Sequence, residues 1–233
     1  HSVEFLFKSS PNCTDMDNFH QLLQGFHNFK QKYFLKEREY FESLEKSQNP
    51  KTLVVACCDS RVDPAILLHC KPGELFVIRN VAALIPSSDQ ADSPSAVMAA
   101  IEYGVKHLSV EHIVVLGHSR CGGIHGLMHP ETICNEKYIW QWVSIAAPAL
   151  DRLDDLTDDE PPEVRARHCE EGAVLLSLDN LLSYPWISSK VEEGSLKLHA
   201  LYYDLGKGEL YRFSPEKEDF LPLVLKTPKK SAK

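Results

Sequence analysis

Three short apolar runs, Thr52–Ala56, Leu75–Ile78 and Ile113–Leu116, constrain this chain more than any other feature. Each is continuous rather than alternating, which predicts a strand buried on both faces. Such strands need cover above and below, and the segments between them can supply it. Ser93 and Pro94 predict the N-cap and first turn of a helix over Ala96–Leu108. Two more helices are predicted over residues 137–150 and 162–183. Strands alternating with helices define an α/β fold: a mostly parallel central sheet flanked by helices, with right-handed crossovers.

Ahead of the sheet, Phe19, Leu22, Leu23, Phe26 and Phe29, then Phe34, Tyr40 and Leu44, fall at helical spacing. They predict two consecutive helices within residues 16–48, an N-terminal helical arm closed by Pro50. At the other end, Leu196–Asp204 turns at Gly206 and Gly208 into Glu209–Phe213, a hairpin expected at a sheet edge. No repeat or Gly/Ser linker interrupts the chain. Its 233 residues therefore read as one domain, with an arm over 1–50, a core over 51–213 and a tail over 214–233.

Thirty-three acidic residues against 25 basic ones give a net charge of −8, spread out apart from Asp151–Glu163. That balance speaks against nucleic acid as a partner. The basic tail Lys226–Lys233 reads as a solvated terminus. No apolar run approaches the roughly 18 residues that span a bilayer. The opening HSVEFLFKSS lacks a signal peptide's apolar segment, yet begins without Met, so a targeting segment could precede it. The seven cysteines are odd in number and irregularly spaced, which fits a reducing compartment; the cytoplasm is expected, or an organelle if an upstream targeting segment was removed. The sequon Asn12-Cys13-Thr14 is read as chance.

Two polar segments follow predicted buried strands. Cys57-Cys58-Asp59-Ser60-Arg61 follows the first, and Gly117-His118-Ser119-Arg120-Cys121-Gly122-Gly123 follows the third. Ligands of open α/β sheets gather at the carboxyl ends of strands, so the two loops can converge. Two thiolates and an imidazole suit zinc, and three protein ligands with a fourth position open is the catalytic arrangement. The competing reading makes these cysteines small core hydrophobes and His118 a hydrogen-bonded core histidine. Spacing alone leaves both open. Asp59 would lie close to such a metal, and Arg61 could hold its carboxylate in a bidentate pair. In isolation the blander reading, a turn-capping aspartate with a surface arginine, is preferred. His125 and His129, spaced i, i+4, have no accompanying carboxylate base and are not read as a metal pair.

These segments resemble the β-class carbonic anhydrases. The family's Cys-x-Asp-Ser-Arg appears as Cys57 to Arg61, and its His-x-x-Cys as His118 to Cys121. Pro72–Phe76, Arg79–Ala82, Ala100–Tyr103, Leu181–Pro185, Tyr203-Asp204 and Gly208 match as well, so the likeness runs from about residue 20 to residue 213. The resemblance implies one zinc per subunit on Cys57, His118 and Cys121, with Cys58 a filler at the variable position. It implies a catalytic dyad of Asp59 and Arg61, and a substrate pocket of Gln48, Phe76, Val81, Tyr103 and Gly122. The implied reaction is the reversible hydration of carbon dioxide to bicarbonate. Two thiolates cancel the formal charge of zinc, so activity should rise into mildly alkaline pH.

The family's sites lie at a dimer interface, so the resemblance also implies a homodimer or larger homo-oligomer wrapped by the first helices. Some bacterial members carry a Trp three residues before the first ligand, as part of a non-catalytic bicarbonate site whose arginine Arg79 matches. Here Val54 stands at the Trp position, which implies the plant-like subtype. The rival readings are a zinc hydrolase of carbon disulfide or carbonyl sulfide on the same fold, and an inactive zinc-binding scaffold.

Overall fold

The structure, a computed structural model, describes residues 18–90, 95–154, 156–157 and 159–224. Ser93, Pro94, the 12–14 sequon and the tail beyond residue 225 lie outside them. The chain divides into two compact units, residues 1–48 and 49–233.

In the first unit, α1 (Asn18–Phe29) runs into a wider π-helical turn, Lys30–Phe34, and is followed by α2 (Arg38–Lys46). Phe41 of α2 meets Phe29 edge-on at 5.6 Å and Phe34 at 5.3 Å, an aromatic cluster that pins the two helices together. None of α1 is buried; Phe19, Leu22, Leu23 and Phe26 are all more than half exposed.

The second unit contains β1 (Thr52–Cys57), α3 (Pro64–Leu67), β2 (Leu75–Asn80), α4 (Ala96–Lys106), β3 (His112–His118) and α5 (Gly122–Met128). It continues with α6 (Lys137–Val143), α7 (Pro162–Leu182), α8 (Pro185–Glu192), β4 (Lys197–Asp204), β5 (Glu209–Ser214) and β6 (Asp219–Pro222). The six strands lie in the order β2-β1-β3-β4-β5-β6. The first four are parallel, and β5 and β6 are antiparallel additions. Leu53, Val55, Ile113 and Val115 feed one core and Val54, Ala56, Val114 and Leu116 another, as strands covered on both faces require.

Several expectations shift in detail. The α4 N-cap among the described residues is Ser95, whose hydroxyl accepts the Met98 N–H at 3.3 Å. The helix expected over 137–150 is α6 followed by a 3₁₀ segment, Ser144–Leu153, because Pro148 lacks the N–H an α-helix needs. The edge hairpin is extended by β6, so β5 is not the last strand. Strands β1 and β3 also run further than their apolar cores, so that Cys57 and His118 are their final residues.

From β1 the chain steps to β2 on one side, then crosses to β3 on the other. The carboxyl ends of β1 and β3 are therefore the point where the connections diverge and leave a crevice.

Candidate active site

Cys57 and His118 end adjacent strands at that crevice, and Cys121 follows three residues later as the residue before α5. Their ligand atoms all lie within 4.8 Å of one another, and all three residues are buried. The imidazole is pre-set for a cation. Its Nδ1 lies 2.9 Å from the Ser119 carbonyl, which can only accept, so the proton sits on Nδ1. That leaves Nε2 an unprotonated acceptor, buried and with no hydrogen-bond partner. An orphaned buried nitrogen beside two buried sulfurs fits a bound metal and suits neither a packed core nor a satisfied core histidine.

The sulfurs are prepared as well. Cys57 Sγ accepts from the backbone N–H of Asp59 and of Ala82, both at 3.4 Å. Ala82 and the next residue, Ala83, take left-handed conformations, φ 64° and 55°, that alanine disfavours. Asn80 braces that turn: its amide accepts from Leu84 N at 2.8 Å and donates to Leu84 O at 2.9 Å. A hydrogen bond from the Cys121 thiol lowers the Cys57 thiol below its ordinary range, while that bond and burial push Cys121 up.

Arg61 holds Asp59 as the bidentate reading requires. Its backbone N–H and Nε each donate to Oδ1 at 2.9 Å, and Nη2 donates to Oδ2 at 2.7 Å. Those hydrogen bonds keep the carboxyl well below the usual carboxylate range. Nη2 also reaches the Arg120 carbonyl at 3.1 Å, which ties this loop to the second one.

Arg79 is committed to the same loop. It donates to the carbonyls of Cys57 (3.0 Å), Asp59 (2.7 Å) and Val62 (2.8 Å), and pairs with Asp63 at 3.5 Å. Asp63 in turn caps α3 through the N–H groups of Ala65 and Ile66. Val54 is fully buried in a core cluster with Ala56 and Val62.

The expected pocket residues fall in separate places. Phe76 and Tyr103 stack with centroids 6.1 Å apart, and Tyr103 stacks in turn on His107 at 5.2 Å. Val81 lies against Gly123, where an added Cβ would meet its Cγ1 at 2.7 Å, while Gly122 faces open space. Val81 also lines a groove of about 680 Å³ with Cys58, Arg79, Tyr138, Ile139 and Trp142. Gln48 closes the first unit and is described with that unit alone.

Sequence reasoning missed Asn80, Ala82 and Glu170. Glu170 lies on α7, is only 5% exposed, and accepts the Cys121 N–H on Oε1 at 3.0 Å. The one available signal was an acidic pair, Glu170-Glu171, inside an otherwise well-buried helical stretch.

A parallel-sheet crevice with a Cys-His-Cys donor set beside a clamped carboxylate defines an α/β protein with a group that could hold a metal ion. The carbonic anhydrase family profile matches residues 52–210. Over 194 residues the chain is 39% identical to "Beta carbonic anhydrase 5, chloroplastic" of Arabidopsis thaliana, covering 83% of this chain and 63% of that protein. The chain thus spans less than two thirds of that relative's length. The solved β-carbonic anhydrase CcaA superposes with a TM-score of 0.84 at 30% identity, over 89% of this chain and 100% of that one. A tetrameric β-carbonic anhydrase from Sordaria macrospora gives 0.71 at 27%, over 85% and 98%. The chain belongs to the β-class carbonic anhydrase family. No helix among the described residues is long and apolar enough to cross a membrane.

Proposed function

We propose that this protein catalyses the reversible hydration of carbon dioxide to bicarbonate and a proton, with one zinc per subunit held by Cys57, His118 and Cys121. The observation that carries the reading is the buried, unpartnered Nε2 of His118, in a Cys-His-Cys group whose ligand atoms lie within 4.8 Å of one another. Zinc in this position supplies the Lewis acid that acidifies water at neutral pH.

The protein's own groups do the rest. Asp59 cannot hold a proton at neutral pH, because Arg61 grips both carboxylate oxygens. It therefore works as a fixed acceptor: a free lone pair on Oδ2 takes a hydrogen bond from the water and sets its orientation. Its own N–H bonds the Cys57 sulfur, so acceptor and ligand keep one spacing. Phe76, Val81, Tyr103 and Gly122 line the carbon dioxide pocket where a second subunit completes it, a reading supported by the partial exposure of Val81 and Tyr103. Val54 and an Arg79 already engaged by backbone carbonyls support the plant-like subtype, which lacks the second bicarbonate site. An intact Asp59–Arg61 pair speaks against an inactive scaffold, and nothing specific favours a sulfur substrate.

The working form is a homodimer or larger homo-oligomer with sites at the interface. Its support is the exposed apolar face of α1, the exposed groove side chains Tyr138 and Ile139, and the tetrameric Sordaria macrospora relative. A reducing compartment, cytoplasm or organelle, goes with the cysteine usage, and the relative described as chloroplastic is compatible with the organelle. Stopped-flow hydration on zinc-loaded protein tests the proposal. Cys57→Ser should lose zinc and activity, and Asp59→Asn should keep zinc and lose about 10²-fold or more in kcat. An inactive wild type with full zinc occupancy overturns the reaction, and an active monomer in sedimentation overturns the shared site.

A further inference from the structure

Glu170 has no role in the reaction above, yet it is among the few buried charged side chains. Burying a carboxylate is unfavourable unless its acceptors are filled, so what fills them is informative. Oε1 takes the Cys121 N–H, the preceding Arg120 N–H points to the same carboxylate, and Oε2 takes the Tyr202 hydroxyl at 2.7 Å. Arg120 sits in the left-handed region at φ 58°, a conformation its Cβ disfavours. Two successive N–H groups converging on one anion is the geometry of a backbone nest, and here the anion is built into the protein.

That turn carries two functional atoms. Cys121 presents one candidate ligand sulfur, and the Arg120 carbonyl anchors Arg61, which holds Asp59. We infer that Glu170 is a positioning residue of the metal centre, clamping the strained Arg120–Cys121 turn so that the sulfur and the Asp59–Arg61 pair are set together. The inference rests on the reading of Cys57, His118 and Cys121 as zinc ligands.

The clamp is itself held. Tyr202 is 1% exposed, and the Arg167 guanidinium lies 5.2 Å from the Tyr202 ring and 4.4 Å from that of Tyr211. Glu171 fixes Arg167 by an ion pair at 2.8 Å. On β3, Gly117 lets α7 approach until an added Cβ would meet Val174 at 2.4 Å, which seats Glu170 over the end of the strand. Partners that orient metal ligands in this way are worth about 10- to 100-fold in metal affinity.

The test compares Glu170→Ala, Glu170→Gln and Tyr202→Phe by zinc competition against a chromophoric chelator, and by the thiolate charge-transfer band of the cobalt-substituted proteins. Glu170→Ala should bind zinc about 10- to 100-fold more weakly and shift the cobalt band. Glu170→Gln keeps an oxygen for the two N–H groups and offers an amide to Tyr202, so it should recover affinity to within about threefold. Tyr202→Phe, the mildest change, should speed zinc release and serves if Glu170→Ala does not fold. A purely structural role would lower the melting temperature while leaving affinity and the cobalt band unchanged, and that result overturns the inference. So does a Glu170→Gln protein as impaired as Glu170→Ala. A wild type that binds zinc tightly but hydrates no carbon dioxide overturns the proposed reaction and leaves the positioning role standing.

Discussion

Replacing Gly117 with alanine adds one carbon atom at the place where α7 rests on β3. No unusual backbone angle is involved, so the effect is steric. The new Cβ would sit 2.4 Å from Val174 Cγ2, whereas an ordinary contact is 3.4–4 Å, so something must give by about 1 Å. Val174 is 2% exposed, and a helical valine holds one χ1 rotamer about 90% of the time, so it cannot simply turn aside. Overpacking of this kind costs about 1–3 kcal/mol. Against it stands about 0.5–1 kcal/mol gained because alanine restricts the unfolded chain more than glycine does. An overlap this deep sits in the upper half of that range, so the net loss is about 1–2.5 kcal/mol, or a melting temperature lower by roughly 2–10 °C in a domain of this size. Urea unfolding of the zinc-loaded protein should show an earlier midpoint at an unchanged slope. In a Val174→Ala background the same change should become neutral or stabilising, since the obstructing methyl is gone. A Gly117→Ala protein as stable as wild type, or one that Val174→Ala fails to rescue, would refute the close-approach argument.

Two further outcomes follow from other contacts. His199 Nε2 lies 3.0 Å from His112 Nδ1, and burial, with the nearby charges of His112, Arg212 and Lys197, lowers its pKa. Between that lowered value and about 6.5 the unfolded chain binds a proton that the folded one resists, so stability is full above about pH 6.5 and falls as pH drops. His199→Gln should flatten this part of the urea-midpoint profile from pH 7.5 to 5.5, and an unchanged slope would count against it. Arg79→Met removes three hydrogen bonds to backbone carbonyls of residues 57–62, which should cost about 2 kcal/mol and raise amide hydrogen exchange across that loop. Exchange unchanged from wild type would show that the loop holds itself.

Much of the architecture was legible because it is local. A run such as Val54-Val55-Ala56 can be satisfied only between two covering layers, and its period fixes which side chains go to which core. The candidate ligand positions were legible for the same reason, since Cys57 and His118 terminate strands whose apolar stretch the sequence displays. Boundaries were less so: polar Asn80 and His118 join their strands because the neighbouring strand supplies hydrogen-bond partners, not because of their own propensity. The 3₁₀ segment at Ser144–Leu153 kept a helical hydrophobic period that hid the effect of Pro148. Short helices such as α3, four residues long, carry too little period to register.

What stayed hidden is the support of the site rather than its chemistry. Each candidate ligand reports itself through residues next to it in sequence, but what holds the two cysteines comes from far along the chain. Cys121 is gripped by Glu170, 49 residues on, and the Cys57 sulfur is met by the N–H of Ala82, 25 residues on. Neither partner is a residue type that signals its role: one is an acid in an ordinary helix, the other an alanine whose value lies in a φ of 64°. A donor set can therefore be read from spacing, whereas its rigidity depends on which helix packs on which strand. In this fold that dependence narrows to one contact, the bare Cα of Gly117 beneath Val174, which sets how close Glu170 can come to the strand end. The same glycine thus limits both the stability of the α7–β3 packing and, on the proposed zinc reading, the affinity of the Cys-His-Cys site, so the two should decline together when it is filled.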